Sequence, residues 1–325
     1  MDLEPVKVGV VGVGNFGLNH ARIYSDLPQT ELVGVVDINE NRGRRCSELY
    51  GTRYHTDYRE LFGKVQAVSI VVPTTLHYQL AMEFLRQGVH VLVEKPITVD
   101  LGQAKRLVEF AKRRNLVLSV GYLERFNPAV MRLREMLDRP VHLEAHRVSR
   151  PTDRNLDVGV VWDYMSHDLD ILIHLVDSPV VKINAIGASV YSDYEDVAYV
   201  QLIFQNGAIA SLTASRISAE KLRQLKVTER SGRTYTLDFV EQSLALARPS
   251  TNGHPLGSEL VDVKKDEPLR LELEHFAECV ARNLTPRVSG EDGKRGLELA
   301  MQVLARMQMV KLSHPLGKQL IALAG

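Results

Sequence analysis

Cysteine is nearly missing: Cys46 and Cys279 are the two in 325 residues. They stand far apart and neither belongs to a CxxC pair, so no disulfide framework and no zinc finger can be assembled from them. Both read as packing residues. Neither sign of charge is in excess, with 40 Lys and Arg against 40 Asp and Glu and a formal net charge of +0. Without a positive field or a basic stripe, little would hold a phosphate backbone, which argues against general nucleic-acid binding. Long apolar runs are absent as well. A membrane-spanning helix needs about 18 or more consecutive apolar residues, whereas the longest runs here, such as 67–73 and 89–93, are strand-sized. No bilayer span is expected. Met1-Asp2-Leu3-Glu4-Pro5 puts acids ahead of any apolar stretch and lacks the basic segment and cleavage site of a secretion signal, so the expected location is the cytoplasm. What is there, 45% hydrophobic residues in 325, is the composition of a soluble protein of roughly two domains.

The first third alternates short apolar runs (6–12, 31–37, 67–72, 90–93 and 116–120) with helical periodicity over 17–27, 41–49, 76–86 and 101–114. That rhythm predicts a doubly wound parallel sheet over residues 1–122. From 123 to 325 the pattern changes. A short helix at 128–137 and a strand at 141–148 precede a helix at 161–176. Strands at 181–190, 197–204, 208–217, 222–229 and 234–239 follow, separated by turn signals such as Gln205-Asn206-Gly207 and Ser231-Gly232. This predicts an α+β domain with a largely antiparallel sheet. A loop at 249–258 and helices at 269–283 and 292–312 complete the expectation.

Gly12-Val13-Gly14-Asn15-Phe16-Gly17 follows the first strand and opens the first helix, and Asp37 ends the next strand 20 positions after Gly17. A lone GxGxxG is a weak signal; strand, glycines, helix and acid in that order make the dinucleotide fingerprint of a Rossmann domain. Gly12 permits the tight turn, Gly14 lets the backbone approach a pyrophosphate, and Gly17 lets helix and strand pack. The helix N-terminus then offers free N–H groups to the phosphates. Asp37 can accept hydrogen bonds from the ribose hydroxyls and repel a 2′-phosphate, favouring NAD over NADP. Arg42, Arg44 and Arg45 follow closely and leave dual use open.

Further on come Val72-Pro73-Thr74-Thr75-Leu76-His77, Glu94-Lys95-Pro96 and Asp163-Tyr164-Met165-Ser166-His167. With the fingerprint, in this order and spacing, they resemble the glucose-fructose oxidoreductase and inositol dehydrogenase family (Gfo/Idh/MocA) along almost the whole chain. The resemblance implies an NAD-binding Rossmann domain followed by an α+β domain with an open sheet that binds substrate and mediates oligomerisation. It also implies NAD(P)-dependent oxidation or reduction of sugars and cyclitols, and a homodimer or homotetramer. Residues 122–130 and 157–161 look more specifically like the branch acting on nucleotide sugars. The family implies that Glu94 holds the nicotinamide ribose, that Pro73, Thr74 and Thr75 flank the cofactor, and that His77 lies near it.

The residues themselves allow the same reading and blander ones. Ligands bind outside the carboxyl ends of strands in open α/β sheets, where Pro73-Thr74-Thr75 and Glu94-Lys95-Pro96 both fall. Lys95 can donate to a substrate oxygen or move a proton; alternatively Glu94 and Lys95 are a solvated ion pair. His77 near the cofactor competes with His77 as a helix cap. Asp163 and His167 are i and i+4, so a helix would put them on one face, with His167 as general base and Asp163 orienting ring or substrate. The blander account is a surface Asp-His pair. Arg125 could contact the cofactor or a diphosphate, or pair with Glu124. Asn127 could bind sugar hydroxyls, or cap the following helix. Arg147, Arg150 and Arg154 are candidates for the diphosphate. No metal site is expected: His142 and His146 would stand about 13 Å apart on a strand, and His167 and His174 about 10 Å apart along a helix.

The function expected is NAD-dependent oxidation of a ring hydroxyl, at C3, of a UDP-linked N-acetylhexosamine to a ketone. The alternatives are an inositol or free-sugar dehydrogenase and a catalytically silent sugar sensor on the same scaffold.

Overall fold

Runs of valine and isoleucine with almost no charged side chains become the inner strands of a parallel sheet, because both faces of such a sheet are covered. The computed structural model describes residues 4–151, 156–249 and 257–310. They form two compact units: the residues up to Phe126 with Asp266–Leu297, and Asn127–Lys265 with the residues from Glu298 onward.

The first unit runs β1 (Val6–Val11), α1 (Asn15–Asp26), β2 (Thr30–Val36), α2 (Glu40–Tyr50), β3 (Arg53–His55), β4 (Ala67–Ile70), α3 (His77–Arg86), β5 (His90–Glu94), α4 (Leu101–Arg113) and β6 (Leu118–Gly121). The strands pair in parallel in the order β3-β2-β1-β4-β5-β6, the doubly wound architecture expected. Val8, Val10, Ile70, Val91, Leu92 and Val93 are fully buried at its centre. Local chemistry sets several helix ends. Asn39 accepts the Arg42 amide at the start of α2, Gly51 ends it in the left-handed region, and Asp100 accepts the Gln103 amide at the start of α4. Cys46 and Cys279 are free and buried; burial pushes both thiols up to about 11, which suits packing residues and not nucleophiles.

The second unit opens with α5 (Pro128–Met136) and β7 (Pro140–Val148). After a π-helical turn at Val161–Met165 come α6 (Ser166–Val176), β8 (Val180–Ala188), β9 (Val197–Phe204), β10 (Ile209–Ser215), β11 (Leu222–Glu229), β12 (Thr234–Asp238), β13 (Ser243–Ala247) and β14 (Ser258–Val261). The chain then contributes α7 (Pro268–Arg282) to the first unit, passes through α8 (Gly290–Arg306) and ends its described part with β15 (Met307–Val310). The nine-stranded sheet has the order β14-β13-β12-β11-β7-β10-β9-β8-β15. It is mostly antiparallel, with parallel pairing at β7 with β10 and at β8 with β15. One face carries the core: Leu143, Ala145, Leu202, Ala210, Leu212, Leu225 and Leu237 meet Leu133, Leu169 and Leu172 of α5 and α6.

The strands β3, β13 and β14 are not among those read from the sequence, and two helices differ from the sequence reading. The helix expected at 292–312 ends at Arg306, because Met307–Val310 finds ladder partners on the edge of β8, and that pairing outweighs local helix propensity. The helix expected at 161–176 begins as a π-helical turn, in which the Ser166 amide donates to the Val161 carbonyl five residues back. No helix among the described residues is long and apolar enough to cross a membrane.

Candidate active site

The turn after β1 is built around contacts that admit no side chain. Gly12 has φ +88° with the Val71 carbonyl beside it, and a Cβ on Gly17 would run into the Gly12 carbonyl oxygen. Gly14 differs: nothing lies within 4 Å of where its Cβ would be, so the backbone faces open space. Asn15 and Phe16 are exposed on the first turn of α1. No side chain caps that helix and no acid sits in its first turn, so its leading N–H groups are left for an outside anion. Asp37, 6% exposed, accepts the Val13 amide through Oδ2 at 2.9 Å and the Asn39 amide through Oδ1 at 2.7 Å. Arg42 Nη2 donates to the same Oδ1 at 3.2 Å. The acid is thus locked against the glycine turn, with a cation beside it that was expected only as a route to NADP. An open glycine, a bare helix N-terminus and a fixed acid at the end of β2 fit a dinucleotide.

Two further strand ends converge in this unit. Pro73 leads into a 3₁₀ turn at Thr74–Leu76, and the Pro73 carbonyl accepts the Leu76 amide. His77 begins α3, 1% exposed, with Nδ1 and Nε2 each 2.9 Å from a carbonyl, those of Pro96 and Val72. It ties the Pro73 segment to the Glu94-Lys95-Pro96 segment and is not a surface cap. Burial lowers its pKa from the ordinary 6.5, against the opposing pull of the two carbonyls. A neutral imidazole donates to one of those carbonyls only. Glu94 ends β5 opposite Gly121 of β6. A Cβ on Gly121 would stand 2.6 Å from Glu94 Oε1, so the glycine is what lets the carboxylate lie across the sheet end. The Lys95 amide donates to Glu94 Oε2 at 3.3 Å, and the Lys95–Pro96 bond is cis.

Arg125, at the end of this unit, is 4% exposed. Its Nη2 lies 3.4 Å from Asp292 Oδ1, a partner far along the chain. Asn127 takes the capping role: its Oδ1 accepts the Ala129 amide at 3.1 Å and its Nδ2 donates to the Phe239 carbonyl at 3.0 Å.

In the second unit Asp163 lies in the π-helical turn and His167 in the first turn of α6, both half-buried. The i and i+4 relation therefore spans a joint between two helix types instead of one α-helical face, and such turns recur at functional sites. Glu195, buried and unremarked in the sequence, anchors the turn: its carboxylate accepts the Val161 amide at 3.0 Å and its carbonyl accepts the Val160 amide at 3.0 Å. A Cβ on Gly159 would collide with that carboxylate. Arg216 donates to the Val158 carbonyl and lies 3.5 Å from Asp196. Arg147, expected near a diphosphate, is buried with Asp168: Nε is 3.1 Å from both carboxylate oxygens and Nη2 2.9 Å from Oδ1. Its guanidinium also lies over the Phe239 ring. Arg150 Nε donates to the Ala219 carbonyl, and Arg154 lies outside the described residues. Sequence reading missed Glu195 and Asp168 because an acid facing a distant backbone amide or arginine leaves no local pattern.

Two family models match the chain. Residues 6–122 match the oxidoreductase family, NAD-binding Rossmann fold, and residues 130–233 match the GFO/IDH/MocA C-terminal domain. The UDP-N-acetylglucosamine 3-dehydrogenase of Acidithiobacillus ferrooxidans is 34% identical over 303 residues, covering 92% of this chain and 96% of that protein. Its solved structure superposes with a TM-score of 0.88 at 33% identity, covering 93% of this chain and 97% of that one. The myo-inositol 2-dehydrogenase of Thermotoga maritima is 28% identical, covering 96% of this chain and 100% of that protein.

Proposed function

Because the chain belongs to the Gfo/Idh/MocA family of NAD-binding oxidoreductases, we propose that it oxidises the C3 hydroxyl of a UDP-linked N-acetylhexosamine, such as UDP-N-acetylglucosamine, to the ketone with NAD. The observation that carries the substrate is the 34% identity, over 92% of the chain, to a protein named for that reaction. In this reading the first unit binds the cofactor and the second binds the sugar.

The first α1 amides, behind Gly12, Gly14, Asn15, Phe16 and Gly17, hold the pyrophosphate, and Asp37 accepts from the adenosine ribose. Glu94 accepts from the nicotinamide ribose, and Pro73, Thr74 and Thr75 flank the ring site under the brace of His77. When bound, the nicotinamide supplies the hydride acceptor. Lys95 donates a hydrogen bond to the reacting hydroxyl oxygen, His167 takes its proton, and Asp163 orients the ring or the sugar. One proton and one hydride leave the carbinol, and a ketone remains. Arg125 and Asn127, buried and engaged with Asp292 and Phe239, we assign to holding the frame. Arg154 is the proposed diphosphate ligand.

A second reading, an inositol or free-sugar dehydrogenase, is favoured by the full-length similarity to an inositol dehydrogenase. One experiment separates the two. The protein is incubated with NAD or NADP and a panel of UDP-sugars, free sugars and inositols while NADH or NADPH absorbance is followed. Turnover of UDP-N-acetylglucosamine with NAD is expected; turnover confined to inositols or free sugars overturns the substrate, and a preference for NADP overturns the cofactor.

A further inference from the structure

α7 carries a carboxyl that the reaction above does not use. Glu272 is 1% exposed, and neither of its side-chain oxygens has a hydrogen-bond partner among the described residues. α7 packs on α1 and β1, and around it Tyr24, Leu273 and Phe276 belong to one apolar cluster. The Tyr24 hydroxyl is paired with Ser69 Oγ at 2.8 Å. Glu94 lies close enough to act on Glu272 electrostatically. His20 of α1, fully buried, has its Nε2 3.4 Å from Glu94 Oε1 and packs edge-on to Phe16. Two titratable groups, His20 of α1 and Glu272 of α7, therefore lie near the proposed ribose ligand, Glu94 of β5.

A carboxylate out of water, with no donor and a second carboxylate nearby, is strongly disfavoured, and such a group takes up a proton instead. Burial, and after it the charge of Glu94, push the Glu272 carboxyl well above its ordinary 4.5. We propose that Glu272 is a positioning residue for the cofactor: a neutral carboxylic acid near Glu94 that, with His20, keeps added negative charge away from Glu94 and holds it for the nicotinamide ribose. The inference rests on the assignment of Glu94 to that ribose. The other titratable groups around the pair are Tyr24 on α1, His77 on α3 and Lys95 next in the chain. Burial raises the pKa of Tyr24 and lowers that of His77, so burial favours the neutral form of both.

Ionisation of Glu272 at alkaline pH would set a second negative charge against Glu94. That repulsion should weaken NADH binding as the pH rises. The linkage to folding has the same origin. Because the folded-state pKa is raised, the contribution of Glu272 to stability is fully present below the ordinary 4.5 and is lost as pH rises through the folded value.

The test uses the whole protein and the variants E272Q, E272A and E94Q. In the infrared spectrum of the cofactor-free protein at neutral pH, the C=O band of a protonated carboxyl should be present in the wild type and lost in E272Q. By fluorescence titration, E272A, which leaves the place of the carboxylic acid empty, should bind NADH more weakly than the wild type. E272Q, neutral and of the same shape, should rescue binding and lack the alkaline decline of the wild type. In thermal unfolding the wild type should lose stability relative to E272Q as pH rises. Absence of the carboxyl band from the wild type, or an unchanged alkaline decline in E272Q, overturns the proposal. Normal NADH binding by E94Q, with the band still lost in E272Q, overturns instead the assignment of Glu94 to the ribose.

Discussion

Lys95 and His167 divide one hydroxyl between them in the proposed reaction, the first as hydrogen-bond donor and the second as proton acceptor. Both interactions strengthen as the oxygen gains negative character, so their loss should appear in kcat and not in cofactor affinity. Lys95→Met and His167→Asn are each expected to lose at least about two orders of magnitude in turnover while binding NADH nearly normally by fluorescence. Asp163→Asn should lose less, since it only orients. Near-wild-type turnover in both the Lys95 and His167 variants would return the silent sensor to consideration. These residues were legible because family motifs and strand ends mark them. The duties of Asp37 were only half legible: its acid stood out and its bonds to the Asn39 amide and Arg42 are local, but its bond to the Val13 amide depends on where a distant turn lies.

At the scale of elements, the π-helical turn at Val161–Met165 sets how Asp163 and His167 are presented, and Glu195 holds its first amide. Glu195→Ala would leave the buried Val161 N–H without its acceptor, a loss of about 1–3 kcal/mol, and would loosen the turn. Chemical denaturation should register that loss, and turnover should fall with it. Glu195→Gln keeps an acceptor oxygen and should lose less. Equal stability of the Ala variant and the wild type would mean that the turn is held by other contacts. Periodicity located α6 but not the change of helix type before it, because the wider turn depends on a carboxylate that reaches it from another part of the chain. Helices with local end signals were easier to read: Asn39 and Gly51 bound α2, and Asp100 begins α4.

Across the whole molecule, the outer face of the nine-stranded sheet keeps large apolar side chains in water. Ile186 is 49% exposed and Tyr199 57% exposed, and they stand in register on adjacent strands, with Thr213 next in the row. Apolar neighbours on an open sheet face mark association surfaces, and a closed symmetric oligomer is the usual outcome. Sedimentation at micromolar concentration is expected to give a homodimer or homotetramer, and Tyr199→Asp to shift it towards monomer. A wild type that sediments only as monomer would refute this.

The amino-acid order by itself determined the parallel sheet, the glycine turn with its acid, and the alternation of strands that makes the second sheet. Each of these is a local pattern: period, turn chemistry, or a motif within about 30 residues. Tertiary structure decided the rest. It turned Met307–Val310 into an edge strand, returned α7 to the first unit, paired Arg147 with Asp168 and Arg125 with Asp292, and brought Glu272 within electrostatic reach of Glu94. The physical reason is common to all four. A ladder partner, an apolar face or a buried charge is satisfied by whatever the fold brings beside it, and that neighbour lies 20 or more positions away along the chain.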